Sequence, residues 1–408
     1  MSATPSSVSL PISRIELISL LAMLSATVAF SIDAMLPSLP RIAGDLSPGD
    51  QNRVQLLVAS FVFGMGFGTL FAGPLCDAFG RKLVSAVGAV LYSVAALVGA
   101  VTTNLELLLI ARVVQGLGAA GPRVAAMAIA RDLFSGRQMA QVLSYVIFVF
   151  SLVPIIAPAM GWVIDWAFGW RAIFVSFAIF SAISTGWLLL RLPETLSSDA
   201  VRPFRLGTLI EGAREVVGNR QVVLATLAQT LIFATLFSAL MSSQQIFGEV
   251  LGRGEEFPLW FGAMALISSS ASLVNARIVL RLGMREVVRR TVLIHACGSA
   301  VFLMLHIAGG LSGTVLLAVA FLWMTSIFFL AAFCLGNMNA LALEPMGHMA
   351  GMAASVVTAT ATVGGALLSA PIGLAFDGTM RPLTIAVLLM MSAAFFILQR
   401  MRDGAEAA

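Results

Sequence analysis

Apolar runs long enough to cross a membrane recur along the whole chain. A bilayer core of about 30 Å requires roughly 20 helical residues per crossing, and reading for such runs predicts twelve spans. They lie at 15–38, 53–75, 84–103, 106–130, 139–165, 171–191, 221–247, 257–280, 289–308, 313–339, 349–374 and 382–400. The length of the runs favours helices over strands. The chain is therefore predicted to be an all-α membrane protein with twelve transmembrane helices.

The longest polar stretch, 192–220, separates the sixth span from the seventh. It predicts an N-terminal six-helix bundle (1–191), a cytoplasmic linker (192–220) and a C-terminal six-helix bundle (221–408). After the second span of the first half comes Gly80-Arg81-Lys82, and after the second span of the other half comes Gly283-Met284-Arg285. This repetition suggests duplicated halves.

Composition and charge agree with this reading. Hydrophobic residues make up 59% of the 408 positions and charged residues 11%, against roughly 25% charged in soluble domains. With the N-terminus inside, most of the 24 Lys and Arg residues fall on the cytoplasmic side, as the positive-inside rule requires. We therefore expect a multi-pass protein of the bacterial inner membrane with both termini in the cytoplasm.

Several partner classes are not expected. The basic residues form no stripe with interleaved aromatics, so nucleic acid is not an expected partner. The three cysteines, Cys76, Cys297 and Cys334, follow no metal or disulfide spacing. No G-x-x-x-x-G-K-S/T string occurs, which argues against transport driven by ATP bound to this chain. We expect no metal and no cofactor, only a proton gradient as the energy source.

The turn after the second span carries glycines, an acid and a basic pair in the order Gly73-Pro-Leu-Cys-Asp77-Ala-Phe-Gly80-Arg81-Lys82. Glycines let two helices approach closely, and the basic pair can anchor at anionic headgroups. An ordinary positive-inside loop is the alternative interpretation.

The fourth span contains two arginines, in Arg112-Val-Val-Gln115-Gly-Leu-Gly-Ala-Ala-Gly-Pro-Arg123. An arginine inside a span costs several kcal/mol unless it is paired or faces a wet cavity. Arg112 and Gln115 lie on one helix face. Arg112 is either a functional charge or a structural one neutralised by carbonyls. Arg123, about three turns closer to the cytoplasm, either lines the inner vestibule or pairs with Glu16.

An aspartate, Asp33, lies near the outer end of the first span, in Ser31-Ile-Asp33-Ala-Met-Leu-Pro37. Because the first span runs outward and the fourth inward, Asp33 and Arg112 are predicted to lie at similar depth, as partners or in one cavity. An aspartate whose burial and partner change with conformation can take up and release a proton. The alternative is an interfacial aspartate in contact with water.

These segments together resemble the major facilitator superfamily, and within it the twelve-span drug/proton antiporters of the bicyclomycin and chloramphenicol-resistance branch. The turn at 73–82 resembles the superfamily's signature loop, with Ala78 in place of a basic residue. The strings around Arg112 and Asp33 resemble antiporter elements of spans four and one. Pro154-Ile-Ile-Ala157-Pro158-Ala-Met-Gly161 is similar to the antiporter motif of span five, with Ala157 replacing a glycine, and 193–196 and 345–351 fit the same family.

The resemblance implies a facilitator fold of two six-helix bundles and assigns roles to single residues. Asp33 would carry the proton and Arg112 would tune it, with Gln115 and Arg123 as cavity or coupling candidates. In the gating loop, Asp77 would meet a neighbouring helix N-terminus and Arg81 would pair with Asp132. The remaining candidates are gating-loop residues Gly73, Gly80 and Lys82 and antiporter-motif residues Pro154, Pro158 and Gly161.

The predicted function is proton-coupled multidrug or antibiotic efflux by alternating access. The expected ligands are small amphipathic or neutral molecules and protons, the surroundings are the lipid bilayer, and the expected state is a monomer. One alternative is a proton symporter that imports a nutrient. Another is a transporter-like sensor or assembly partner that moves nothing. A membrane enzyme is disfavoured because no catalytic constellation stands in the spans.

Overall fold

Helices account for the regular secondary structure in residues 12–401, the part of the chain that this computed structural model describes. The ends of the two predicted bundles, 1–11 and 402–408, lie outside the described residues. The first half contains α1 (Arg14–Asp33), α2 (Leu39–Leu46), α3 (Leu56–Phe79), α4 (Arg81–Val101), α5 (Leu105–Leu133), α6 (Gly136–Phe168) and α7 (Arg171–Arg191).

The remaining helices begin within the predicted linker. They are α8 (Leu206–Gly218), α9 (Arg220–Gln245), α10 (Phe257–Ser269), α11 (Ala271–Leu282), α12 (Met284–Ile307), α13 (Gly313–Leu343), α14 (Ala350–Leu374) and α15 (Arg381–Gln399). Of these, α8 belongs to the linker, and α10 and α11 follow one another within a single span.

The described residues contain 11 helical stretches that are long and apolar enough to cross a membrane. One of them, Gly313–Leu374, is 62 residues long. It holds two spans, α13 and α14, because a 3₁₀ turn at Glu344–Met349 separates them. The structure thus has the predicted twelve spans, with boundaries close to those predicted. The all-α fold is confirmed.

Apolar side chains cover the outside of the bundle as well as its interior. Phe61 and Phe174 are 0% and 1% exposed, whereas Leu190 and Leu280 on the outer surface are 86% and 87% exposed. A soluble protein does not carry so much exposed apolar surface. Lipid is the solvent that suits it, because lipid tails are as apolar as these side chains.

The eighth span is the one that differs most from its predicted form. It was predicted as one helix at 257–280, but it is divided at Ser270 into α10 and α11. The hydroxyls of Ser269 and Ser270 donate to the carbonyls of Leu266 and Ile267, both at 2.7 Å. Such bonds compete with the helical ladder and bend it.

The suspected repeat is visible in the backbone. Gly80 lies between α3 and α4 with φ +91° and ψ 158°, and Gly283 lies between α11 and α12 with φ +79° and ψ 156°. Positive φ is accessible to glycine at little cost, whereas a side chain would strain it. The same turn therefore joins the second and third spans of each half.

The spans pack as two groups that meet along two junctions, α3 with α14 and α6 with α10. Glycines permit close approach at both. A Cβ on Gly66 would lie 2.9 Å from the Val363 side chain of α14. A Cβ on Gly262 of α10 would lie 3.0 Å from the Ile155 carbonyl oxygen of α6. We call the end of the molecule that bears residues 192–220 the linker side, and the other end the opposite side.

Candidate functional site

Arg112 is 0% exposed, and neutral groups hold its guanidinium. Nε donates to the Leu57 carbonyl at 3.1 Å, Nη1 to Gln115 Oε1 at 2.8 Å, and Nη2 to the Ser31 carbonyl at 3.1 Å. The guanidinium carbon lies 4.4 Å from the centroid of the Phe61 ring. These contacts compensate for the loss of water around the charge.

Asp33 ends α1 and is 5% exposed. Its carboxyl group has no hydrogen-bond or ion-pair partner within the described residues. The direct pair with Arg112, one of the two arrangements expected from the sequence, is not formed. The two groups are instead linked through the backbone, because the carbonyl that Arg112 binds belongs to Ser31, two residues before Asp33.

A tyrosine that the sequence analysis did not single out completes this polar cluster. The Tyr92 hydroxyl on α4 forms a hydrogen bond with Ser31 Oγ, and Ser31 Oγ also bonds to the Thr27 carbonyl at 2.6 Å. Gln115 Nε2 is buried without a partner. Tyr92 is one of only 2 tyrosines in the chain, and a polar aromatic in an otherwise apolar span was the available signal.

The antiporter-motif helix, α6, packs directly against the segment that carries Asp33. A Cβ on Gly161 would lie 2.6 Å from the carbonyl carbon of Ala34, the residue after Asp33. Pro154 and Pro158 lie inside the same helix, where each removes a backbone hydrogen bond. A change in the shape of α6 would therefore move the backbone beside Asp33.

The gating loop is organised around Arg81. Its Nε and Nη2 donate to the two carboxylate oxygens of Asp132 at 2.8 and 3.2 Å, which confirms the expected pair. Nη1 donates to the Cys76 carbonyl at 2.7 Å and lies 3.1 Å from Asp77 Oδ1. Asp77 thus contacts Arg81. It forms no hydrogen bond with the N-terminus of α14, the nearby helix that begins on the same side.

Glu194, which follows α7, joins this loop although the sequence analysis gave it no role. Its Oε1 accepts from the Arg81 N–H and its Oε2 from the Lys82 N–H, both at 3.0 Å, so it caps α4. A Cβ on Gly80 would lie 2.6 Å from Oε2. Burial acts to raise the pKa of Glu194, but the backbone N–H donors outweigh it and hold that pKa below its usual value.

A cavity of about 690 Å³ lies on the linker side. Both halves and the linker contribute to its wall, through Gly73, Asp77, Asp132, Arg205, Glu215 and Ser355. The start of α14 lines the same cavity as Asp77, while a Cβ on Gly73 would lie 3.1 Å from the Ser355 hydroxyl of α14.

Hydrogen bonds close the seam between the halves on the opposite side. Asn52 Nδ2 donates to the carbonyls of Leu374 and Phe376 at 3.1 and 2.8 Å. Gln245 Nε2 donates to Asn52 Oδ1 at 3.0 Å. The two sides of the molecule therefore differ, with open space at one and a hydrogen-bonded seam at the other.

Arg123 is separate from these clusters, and of its two expected arrangements the pairing with Glu16 is not formed. Glu16 accepts from Arg191 Nε at 2.8 Å and from Trp187 Nε1 at 3.2 Å. Nη1 of Arg123 instead contacts the Met65 sulfur at 3.7 Å. The described residues contain no group of three His, Cys, Asp or Glu side chains that could hold a metal ion.

A sequence profile of the Major Facilitator Superfamily matches residues 19–369. The chain belongs to the major facilitator superfamily. This facilitator is consequently a multi-pass membrane transporter of small molecules and not an enzyme.

Two similar proteins come from the bacteria Haemophilus influenzae and Shewanella oneidensis. A bicyclomycin resistance protein homolog of Haemophilus influenzae is 29% identical over 390 residues, 93% of this chain and 95% of the relative. The multidrug resistance protein MdtL of Shewanella oneidensis is 30% identical over 291 residues, 71% of this chain and 72% of the relative. A crystal structure of a D-xylose-proton symporter covers 97% of the facilitator with a TM-score of 0.74 and 15% identity, a likeness of fold alone.

Proposed function

We propose that this facilitator exports small amphipathic or neutral molecules, antibiotics among them, in exchange for protons. The observation that carries the proposal is Asp33, a carboxyl group buried within a span without a partner. The names of the relatives, a bicyclomycin resistance protein homolog and a multidrug resistance protein, support the choice of substrate and direction.

The orientation follows the distribution of basic residues. The linker side faces the cytoplasm and the opposite side faces outward from the bacterial inner membrane, with both termini cytoplasmic. The sealed seam at Asn52 then closes the outer side, and the cavity beside the gating loop is reached from the cytoplasm. The transporter acts as a monomer, because the two halves of one chain already enclose the pathway.

Asp33 is suited to carry the proton because its surroundings change when the seam opens. A carboxylate buried without a partner costs several kcal/mol, whereas the protonated group does not. Opening of the outer seam brings water to the end of α1, where Asp33 takes up a proton. Arg112, held beside it at the Ser31 carbonyl, stabilises the charged form after the proton leaves toward the cytoplasm.

The seam at Asn52 serves as the outer gate, and closure of the cavity beside the gating loop serves as the cytoplasmic gate. Arg81, Asp132 and Glu194 hold the ends of α4, α5 and α7 together on the cytoplasmic side, and Asn52 holds the outer seam. Alternating access requires that the halves separate at one end while they close at the other. In this proposal, Asp77 meets the start of α14 when the cavity closes.

A proton symporter that imports a nutrient is the second candidate. A symporter would use the same buried carboxyl group. The observation in its favour is Ala157 on α6, which stands where the antiporter motif has a glycine. Direction of transport separates the two candidates, since an antiporter accumulates its substrate in everted vesicles when a proton gradient is imposed.

The test is chloramphenicol uptake into everted membrane vesicles energised by respiration, with and without an uncoupler. We expect accumulation that collapses with the uncoupler. We expect that the Asp33→Asn protein does not accumulate the drug either, but still lets the drug concentrations on the two sides of the membrane become equal. Asp50→Asn is the matched control, because Asp50 is an exposed aspartate in the loop that follows α2. Uphill export by Asp33→Asn at the wild-type rate would exclude the proton role, and no uptake at all would exclude export of this drug.

A further inference from the structure

Arg123 is a charged group in the middle of a span with no acidic partner within the described residues. In the described part of the chain, its guanidinium has one hydrogen-bond contact, to the sulfur of Met65, 3.7 Å from Nη1. Sulfur is a weak acceptor. Arg112 on the same helix binds three oxygen atoms. The two arginines of α5 are therefore held in different ways, and only Arg123 lacks compensation for its charge.

The acidic groups of α1, α3 and α6 do not pair with Arg123, and Asp77 on α3 lies 3.1 Å from Arg81. Glu16 on α1 is bound by Arg191 at 2.8 Å, and Asp165 on α6 is bound by Arg41 at 2.9 Å. Asp33 ends α1 on the opposite side, whereas Arg123 lies about three turns from the linker-side end of α5. An arginine within a span is costly unless it is paired or faces a wet cavity. Arg123 therefore has no acidic partner within the described residues, and its guanidinium can bind a group that enters from the linker-side cavity.

Arg123 lies next to a residue of the cavity wall and close to the junction of the two halves. The next residue, Val124, lines the linker-side cavity together with Gly73 and Ser355. Met65, which the guanidinium contacts, precedes Gly66, and a Cβ on Gly66 would lie 3.1 Å from the Thr362 side chain of the other half. Arg123 is only partly buried. It therefore lies between the end of the cavity and the junction of the two halves.

We infer that Arg123 binds a negatively charged group on the transported compound, so that the substrates include organic monoanions with an apolar body. This inference rests on the proposed export function and narrows its substrate class. A guanidinium binds a carboxylate or sulfonate through paired N–H donors, and such charge-assisted hydrogen bonds are among the strongest in proteins. Met65 beside it is a soft, adaptable apolar surface for the body of the compound.

The inferred substrate class also changes the energetics of export. Each elementary charge moved across the membrane contributes about 2.3 kcal/mol per 100 mV. Export of a monoanion in exchange for one proton moves one charge more than export of a neutral compound. An interior-negative membrane potential therefore favours export of the anion more strongly.

The test compares nalidixate, an aromatic monocarboxylate, with its neutral carboxamide in everted vesicles. We expect Arg123→Gln to lower uptake of nalidixate by at least about tenfold, the effect of one charge-assisted hydrogen bond. We expect Arg123→Gln to change uptake of the neutral carboxamide by less than twofold, because this compound has no charge for Arg123 to bind. Arg123→Lys keeps the charge and retains part of the nalidixate uptake. Arg137→Gln, a change at an exposed arginine near the start of α6, leaves both uptakes unchanged.

Three outcomes would overturn the inference. If Arg123→Gln lowers both uptakes equally while the purified protein stays monodisperse, Arg123 acts on the fold or on coupling. If the wild type accumulates chloramphenicol but not nalidixate, the export function stands and the anion class is wrong. If the wild type accumulates none of the three compounds, the proposed function and this inference are rejected together.

Discussion

Single residues in this transporter handle buried charge in three different ways. Arg112 spreads its charge over carbonyls, an amide and an aromatic ring. Asp33 is buried and its carboxyl group has no partner within the described residues, so its charged form is costly. Within the same residues, the guanidinium of Arg123 has a hydrogen-bond contact to a thioether and none to an acid. The first arrangement satisfies the charge with groups of the protein, whereas the other two leave a charged or ionisable group without an oppositely charged partner in the described chain.

The sequence alone indicated which spans carry these charged residues, but not which groups form hydrogen bonds with them. The spacing of Arg112 and Gln115 on one helix face predicted their contact, because neighbours three apart meet within a single helix. The carbonyl of Leu57 is 55 residues from Arg112 and that of Ser31 is 81 residues away. No local pattern specifies such acceptors, because every backbone carbonyl looks alike in a sequence.

Glu194 gives a prediction about pH at the scale of a residue. Its pKa in the folded protein lies below the usual value of 4.5, so the stability it contributes is present above that pH and is lost as pH falls through the lowered pKa. Glu194→Gln should destabilise the protein at pH 7 by about 1 kcal/mol, the usual cost of a lost helix cap. The thermal midpoint in detergent measures this.

The pH dependence of the thermal midpoint and a second variant serve as controls for this prediction. The difference between wild type and Glu194→Gln should shrink at acidic pH, because the wild-type carboxylate is then protonated too. Glu211→Gln, at an exposed residue of α8, should leave the midpoint unchanged. A difference that stays constant down to strongly acidic pH would show that charge on Glu194 contributes nothing.

At the scale of helices, glycine decides which elements approach closely. Gly161 on α6 faces the backbone of Ala34, and Gly66 on α3 faces α14. In the sequence, Gly161 is part of the antiporter-like motif of the fifth span. The structure supplies the reason, since backbone atoms cannot move aside as a flexible side chain can. In the eighth span, the sequence did not predict the local structure. Its apolar run predicted one helix, but the helix is divided at Ser270, where a serine hydroxyl bonds to the backbone.

We predict that Gly161→Ala impairs transport by pushing α6 away from the segment that carries Asp33. The added Cβ would meet the Ala34 carbonyl carbon at 2.6 Å, and something must shift. Gly186→Ala on α7 is the matched control, because a Cβ there meets nothing within 4 Å. Vesicle uptake and the amount of folded protein measure the effect. Full activity in Gly161→Ala would mean that the α6 contact has no part in transport.

At the scale of the whole molecule, the proposed transport cycle requires the seam at Asn52 to break for the opposite side to open. Gln55 lies beside it at 0% exposed, with both amide atoms unpartnered. A buried amide without partners is costly, and opening of the seam would return it to water. Gln55 is therefore a sensitive position for detecting the outward-open state.

We predict that Asn52→Ala increases labelling of Gln55→Cys from outside by an impermeant maleimide. The background protein has Cys76, Cys297 and Cys334 replaced, so that only the introduced thiol reacts. We expect at least a fivefold faster reaction, because each lost hydrogen bond contributes about 1 kcal/mol. Gln51→Cys, at an exposed position on the same side, should react at the same rate with or without Asn52→Ala. Equal labelling of Gln55→Cys in both backgrounds would remove the seam from the gating scheme.

The sequence by itself determined the twelve spans, the polar division at 192–220 and the segments that carry the candidate site. These features are local, because a bilayer selects each apolar run by its own length and composition. Only the tertiary structure decided the contacts between distant residues. Glu194 caps Arg81 across 113 positions, Arg112 binds carbonyls instead of Asp33, and Arg123 has no acidic partner within the described chain. Such contacts depend on which helices become neighbours, and that follows from the packing of all the spans together.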